Sequence, residues 1–165
     1  MDRVIVCPVC WSQRNYILKN AWRLVDSMDA RAEELLYKGK NSKIYWNSKE
    51  CWVHTDRDDF THGDDLRQSF DKVLEILRDR GCSTILADFT DFMVGNGEDQ
   101  QWVIDDWFPR AMDAGMRYLA VISPRFRVGK LTTDVVTGKF KHPDLKVAHF
   151  NTVEKAVEWL RTCRV

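Results

Sequence analysis

From residue 43 onward, apolar residues alternate between short β-type runs and stripes at helical period. Lys43 to Trp46 and Cys51 to Thr55 read as two short strands, with Asn47 to Glu50 as their hairpin turn. Thr61 then sits at an N-cap position with Asp64 at the capping-box distance. Leu66, Phe70, Val73, Leu74 and Leu77 form one helical stripe, which Gly81 closes. A buried-type strand follows at Thr84 to Asp88, then a loop at Gly95 to Gly97. The next helix carries Trp102, Ile104, Trp107, Phe108, Ala111 and Met112. Pro109 predicts a kink or break inside it, and Gly115 ends it. Tyr118 to Ser123 is a second buried strand, stopped by Pro124. Lys130 to Phe140 reads as a short helix broken by Gly138, and Leu145 to Phe150 as the last strand. Asn151 to Glu154 has the form of a capping box. Val153, Ala156, Val157 and Leu160 give the final helix its inner face.

The order is thus β-β-α-β-α-β-α-β-α. Strands separated by helices require crossover connections, so the expected fold is α/β, with a mixed, mainly parallel sheet of four to five strands. The first hairpin adds an antiparallel edge. Residues 1–41 read as an N-terminal extension to a domain spanning 42–165. The extension holds an apolar run from Val4 to Trp11 and a stretch with Tyr16, Ile17, Leu24 and Met28 near helical spacing. Ala32 to Tyr37 fits neither period, and Lys38 to Asn41 reads as a turn.

Charge narrows the range of partners. Lysine plus arginine equals aspartate plus glutamate, 25 against 25, so no global field draws the chain to nucleic acid or an anionic membrane. No apolar run approaches a membrane span, which predicts no stable membrane insertion. The cysteines number five, an odd set without a dense framework, and this predicts a cytoplasmic protein. An open hairpin edge and seven tryptophans are compatible with a homodimer.

Parallel sheets bind ligands outside the carboxyl ends of their strands. That places Asp88, Asp91 and Asn96 on one loop, Trp102 on the following helix, and Arg125, Arg127 and Lys130 on the next loop. These seven residues are the candidate ligand or partner contacts. Each has a structural alternative: loop hydrogen bonding for the aspartates, helix capping near Asn96, core packing for Trp102, and solvated charge for the basic cluster. Cys7 and Cys10 form a C-x-x-C pair, a candidate redox centre. Zinc would need two further ligands, and Cys51 and His54 would face opposite sides of a strand. No metal, cofactor or catalytic residue is expected, since no hydrolase, P-loop or dinucleotide motif occurs.

Trp52, the Leu66 to Leu77 helix and the stretch Leu86 to Asp91 carry a family likeness. Glu98-Asp99-Gln100-Gln101-Trp102, Trp107-Phe108-Pro109 and Ala156 to Leu160 extend it. Over residues 43–162 the chain resembles the SpoIIAA-like (STAS/Sec14-type) small bacterial domains. The resemblance implies a sheet of four or five strands with helices against it. Relatives of this kind act as partner-switching regulators, transporter appendages or lipid binders. Phosphoswitch members place a serine after the central strand, whereas Gly95 to Glu98 holds neither serine nor threonine, leaving only Thr90 or Ser123 for such a role. The expectation is a non-catalytic domain recognising a protein partner or a small apolar ligand at the strand rim. The alternative is a thiol oxidoreductase using Cys7 and Cys10.

Overall fold

A computed structural model describes residues 32–57, 62–92 and 96–163. Six strands form a single mixed sheet: β1 (Glu33–Lys38), β2 (Ser42–Asn47), β3 (Trp52–Arg57), β4 (Thr84–Asp88), β5 (Tyr118–Ile122) and β6 (Lys146–Phe150). Their spatial order equals their chain order. The pairs β1–β2 and β2–β3 are antiparallel, and β3–β4, β4–β5 and β5–β6 are parallel. The expected α/β class and N-terminal hairpin are present, with one or two strands more than predicted. The added strand is β1, drawn from the stretch that showed neither period. Its register slips between Leu35 and Tyr37, so no clean alternation marks it. The slip and its Glu33, Glu34 and Lys38 charges also blunt the open edge of the sheet.

Among the described residues, four helices accompany the sheet. These are α1 (Gly63–Arg80), α2 (97–113), α3 (Arg127–Lys139) and α4 (Val153–Thr162). The pleat of the central strands divides their side chains between two cores. Ile44, Val53, Ile85, Ala87, Leu119 and Val121 join α1 and α2 in the larger one. Trp52, Leu86, Ala120 and Ile122 meet Ala156, Val157 and Leu160 of α4 on the opposite face. Strands covered on both sides read as continuous apolar runs, which is why β4 and β5 were legible.

Several local expectations are corrected. The N-cap of α1 is His62, which makes no side-chain cap, while Thr61 lies outside the described residues. Pro109 does not break α2. The helix instead passes through Gly97–Trp102, a π-helical stretch Val103–Trp107, and Phe108–Asp113. The Phe108 N–H bonds Val103 O, five residues back, so the widened turn takes up the register change that proline imposes. Gly138 lies within α3, near its end, so the helix is not broken there. The cap of α4 is Thr152, accepting from Lys155 N at 3.4 Å, one residue beyond the predicted box. Cys51 precedes β3, at φ 51° in the hairpin turn.

Gly81 ends α1 in the left-handed region, at φ 58°, and a Cβ built there would meet nothing within 4 Å. Only backbone conformation opposes a side chain. Gly81→Ala is therefore expected to cost about 1–2 kcal/mol in urea unfolding, with no change in far-ultraviolet circular dichroism.

Glu33 of β1 accepts from His54 Nδ1 of β3 at 3.0 Å, and this bond holds the Glu33 carboxyl below its usual range. Because its folded value is depressed, the pairing stabilises the fold above the unfolded value of 4.5 and is lost as pH falls through the folded one. Urea midpoints measured from pH 6 down to about pH 3 should fall more steeply for the native chain than for Glu33→Gln.

Candidate functional site

Beneath the helices on the larger-core face, at the carboxyl ends of β3 and β4, lies a cavity of about 80 Å³. Its wall is apolar, built from Phe70 and Val73 of α1, Ala87 of β4, Phe89, Trp107 and Val136. Three features of the local sequence produce this wall. Phe70 and Val73 belong to the inner stripe of α1. Trp107 is held in place by its ring N–H, which donates to Phe70 O at 2.9 Å. On α3, Thr133 and Thr137 turn their hydroxyls back to the carbonyls of Gly129 and Thr133, at 2.9 and 2.8 Å. That bonding satisfies the polar atoms within the helix and leaves methyl carbons to face inward.

Two charged residues interrupt the wall. Asp99, in the first turn of α2, is 2% exposed. Its Oδ2 accepts from Gly63 N at 2.8 Å, and its Oδ1 lies 3.7 Å from Arg67 Nη2. It thereby supplies α1 with the acceptor that His62 does not, and its charge meets the positive end of that helix.

Arg57, the last residue of β3, is 3% exposed. Val53, Thr55 and Arg57 follow the same pleat, so the strand carries the guanidinium inside. Its plane lies over Phe70, 4.0 Å from the ring centre, with Phe89 at 5.5 Å. Nη1 donates to Thr55 Oγ1 at 3.3 Å and Nη2 to Ser69 Oγ at 3.5 Å. Charge-assisted bonds are normally about 2.7–2.9 Å, so both are long. Nε has no partner among the described residues. No carboxylate among the described residues lies within ion-pair distance of Arg57, and neighbouring Asp56 pairs with Lys43 at 3.5 Å. Burial pushes the Arg57 guanidinium down to about 9, so it stays charged at neutral pH.

The residues anticipated from sequence lie elsewhere, outside the cavity wall. Asp88 accepts from Thr90 N at 2.8 Å and Thr90 Oγ1 at 2.5 Å, a local turn. Asp91 pairs with Arg125, and Arg125 N donates to Thr90 O at 3.0 Å, so two rim loops are tied together. Asn96 caps α2, accepting from Asp99 N at 2.7 Å. Trp102 meets Phe70 edge-on and lies beneath the guanidinium groups of Arg67 and Arg110. Arg127 and Lys130 are exposed on α3. Cys7 and Cys10 lie outside the described residues. Among the described residues, no group of three or more His, Cys, Asp or Glu side chains could hold a metal ion, and no helix is long and apolar enough to cross a membrane.

Reading β3 as ending at Thr55 hid Arg57. The available signal was register: extending the strand by two residues puts an arginine on the face of Val53. Phe70 and Trp107 were identified as helix-face residues, but not as cavity walls.

Comparison with protein-family models, with curated proteins and with solved structures finds no significant match to this chain.

Asp99→Ala would leave the Gly63 N–H without its acceptor in a part-buried position. We expect a loss of about 1–3 kcal/mol in urea unfolding, with Asp99→Asn losing less because its amide oxygen can still accept.

Proposed function

We propose that this is a non-catalytic binding domain that takes up a small, mostly apolar molecule in the cavity between the sheet and α1, α2 and α3. The observation that carries this reading is a void with an almost wholly apolar wall, opening beside the part-exposed Phe89, Gln100 and Thr132. Interiors normally pack without such space. Polar cavities hold water, whereas apolar ones stay dry and accept apolar guests. At about 10–15 Å³ of such space per water-sized unit, the volume suits a guest of roughly five to eight non-hydrogen atoms. The SpoIIAA-like resemblance is compatible with this role, since relatives of that type include binders of apolar molecules.

A second reading, docking of a protein partner, draws on the outer face of α3. Val128, Leu131 and Val135 are 57%, 66% and 41% exposed and recur at helical spacing, with Phe126 before them. Arg127 and Lys130 flank that stripe and would orient an acidic partner. The two readings are compatible, because α3 contributes one face to the cavity and the other to solvent.

Benzene, a neutral guest of suitable size, tests the principal reading. Titration should give saturable shifts of the Val73, Val121 and Val136 methyl resonances. It should also raise stability by about 1.4 kcal/mol at tenfold excess over its dissociation constant. Val136→Phe, which fills the space from α3, should abolish both effects. Uniform, non-saturable shifts across the chain would rule the reading out.

A further inference from the structure

We infer that the molecule bound in this cavity carries a carboxylate, and that Arg57 is its counter-ion. The inference deepens the binding role proposed above and rests on it. Three observations meet at one atom group. The guanidinium of Arg57 is almost fully buried, and it borders the cavity. Among the described residues its Nε has no partner, while Nη1 and Nη2 make only long bonds to neutral hydroxyls. No carboxylate among the described residues lies within ion-pair distance of it, and the one whose charge acts on it, neighbouring Asp56, pairs with Lys43 at 3.5 Å.

Asp99 shares the cavity wall and is committed elsewhere. Its oxygens serve the Gly63 N–H and Arg67, at the head of α1. It therefore places a negative charge in the same wall whose oxygens are already engaged. A guest would lie with its apolar body against Val73, Trp107 and Val136 and its head toward Arg57. The Thr55 hydroxyl accepts from Arg57 through Oγ1 and makes no other hydrogen bond among the described residues, so its proton can be donated to the same anion.

The planar fork of arginine suits a carboxylate, which it can meet with two parallel N–H donors. The size of the cavity limits the body to a short aliphatic or single-ring acid. A phosphate ester would bring a larger and more strongly hydrated head into an apolar space.

The test uses the full chain and three kinds of probe: pentanoate and cyclopentanecarboxylate, their neutral counterparts pentanol and cyclopentylmethanol, and inorganic phosphate. Affinities come from titration calorimetry and the cavity methyl resonances. The acids should bind about tenfold or more tightly than their neutral counterparts, as expected for a hydrogen-bonded charge pair. Arg57→Met keeps the length and bulk of the side chain without the charge, and removing an unpaired buried charge does not threaten the fold. It should erase the preference for acids while still binding the alcohols. Equal binding of acids and alcohols to the native chain would overturn the inference and leave the binding role standing. Phosphate binding as tightly as the acids would also overturn it. Failure of every organic probe would overturn the binding role, and the inference with it.

Discussion

The pleat of β3 is the constraint on which the rest of the structure depends. It sends Trp52 to the face of α4 and Val53, Thr55 and Arg57 to the face of α1 and α2. A slip of one residue would exchange the two sets. Arg57 would then leave the cavity, and Trp52 would lose its place against Leu86 and Leu160. The register is held on both sides. Ile44 pairs with Thr55 across β2, and Thr55 with Ala87 across β4. The neighbouring β4 and β5, apolar on both faces, make any alternative pairing costly.

Topology explains why the cavity lies under the helices at the carboxyl ends of β3 and β4. In doubly wound sheets a crevice opens where the strand order reverses and neighbouring helices diverge to opposite faces. Here β3, β4, β5 and β6 follow one another without reversal. Right-handed crossovers then keep α1, α2 and α3 on the same face, and only α4, after the last strand, crosses to the other. The strand ends still share a rim, as parallel pairing requires. Its charges, though, tie loop to loop, as Arg125 does with Asp91. The space left for a guest lies deeper, where three helices cannot all meet the sheet.

What was legible in the sequence follows from the same physics. Strands β4 and β5 are apolar throughout because both faces are covered, and α1 shows its stripe because one face is not. The Gly81 stop requires a left-handed residue that only glycine adopts freely. β1 was not legible: its bulge breaks the two-residue period, and its edge position leaves Leu35 half exposed. The register change near Pro109 announced itself, but not its form, because whether a helix breaks or widens depends on what it packs against. Charged loop residues such as Asp88, Asp91 and Arg125 stand out in the sequence because loops carry most surface chemistry. A buried arginine at the end of a strand looks from sequence like the first residue of the next loop.

The two departures from ordinary packing at this site are more informative together than apart. A void of about 80 Å³ forgoes contacts worth about 2 kcal/mol by the usual cavity relation. A buried cation with no carboxylate partner among the described residues costs several kcal/mol more. Either could be relieved cheaply by a single change: a larger side chain at Ala87 or Val136 would fill the space, and methionine for Arg57 would remove the charge. Asp99, the other charge in the wall, serves Gly63 and Arg67 and makes no ion pair with Arg57. Moving it would unseat the start of α1. The charge and the void therefore persist side by side for reasons rooted in different elements, β3 for one and α2 with α3 for the other. A single occupant, apolar along its body and anionic at one end, would offset both penalties at once. Neither water nor a neutral hydrocarbon could do so: water would leave the apolar wall unmatched, and a hydrocarbon would leave Arg57 unpaired.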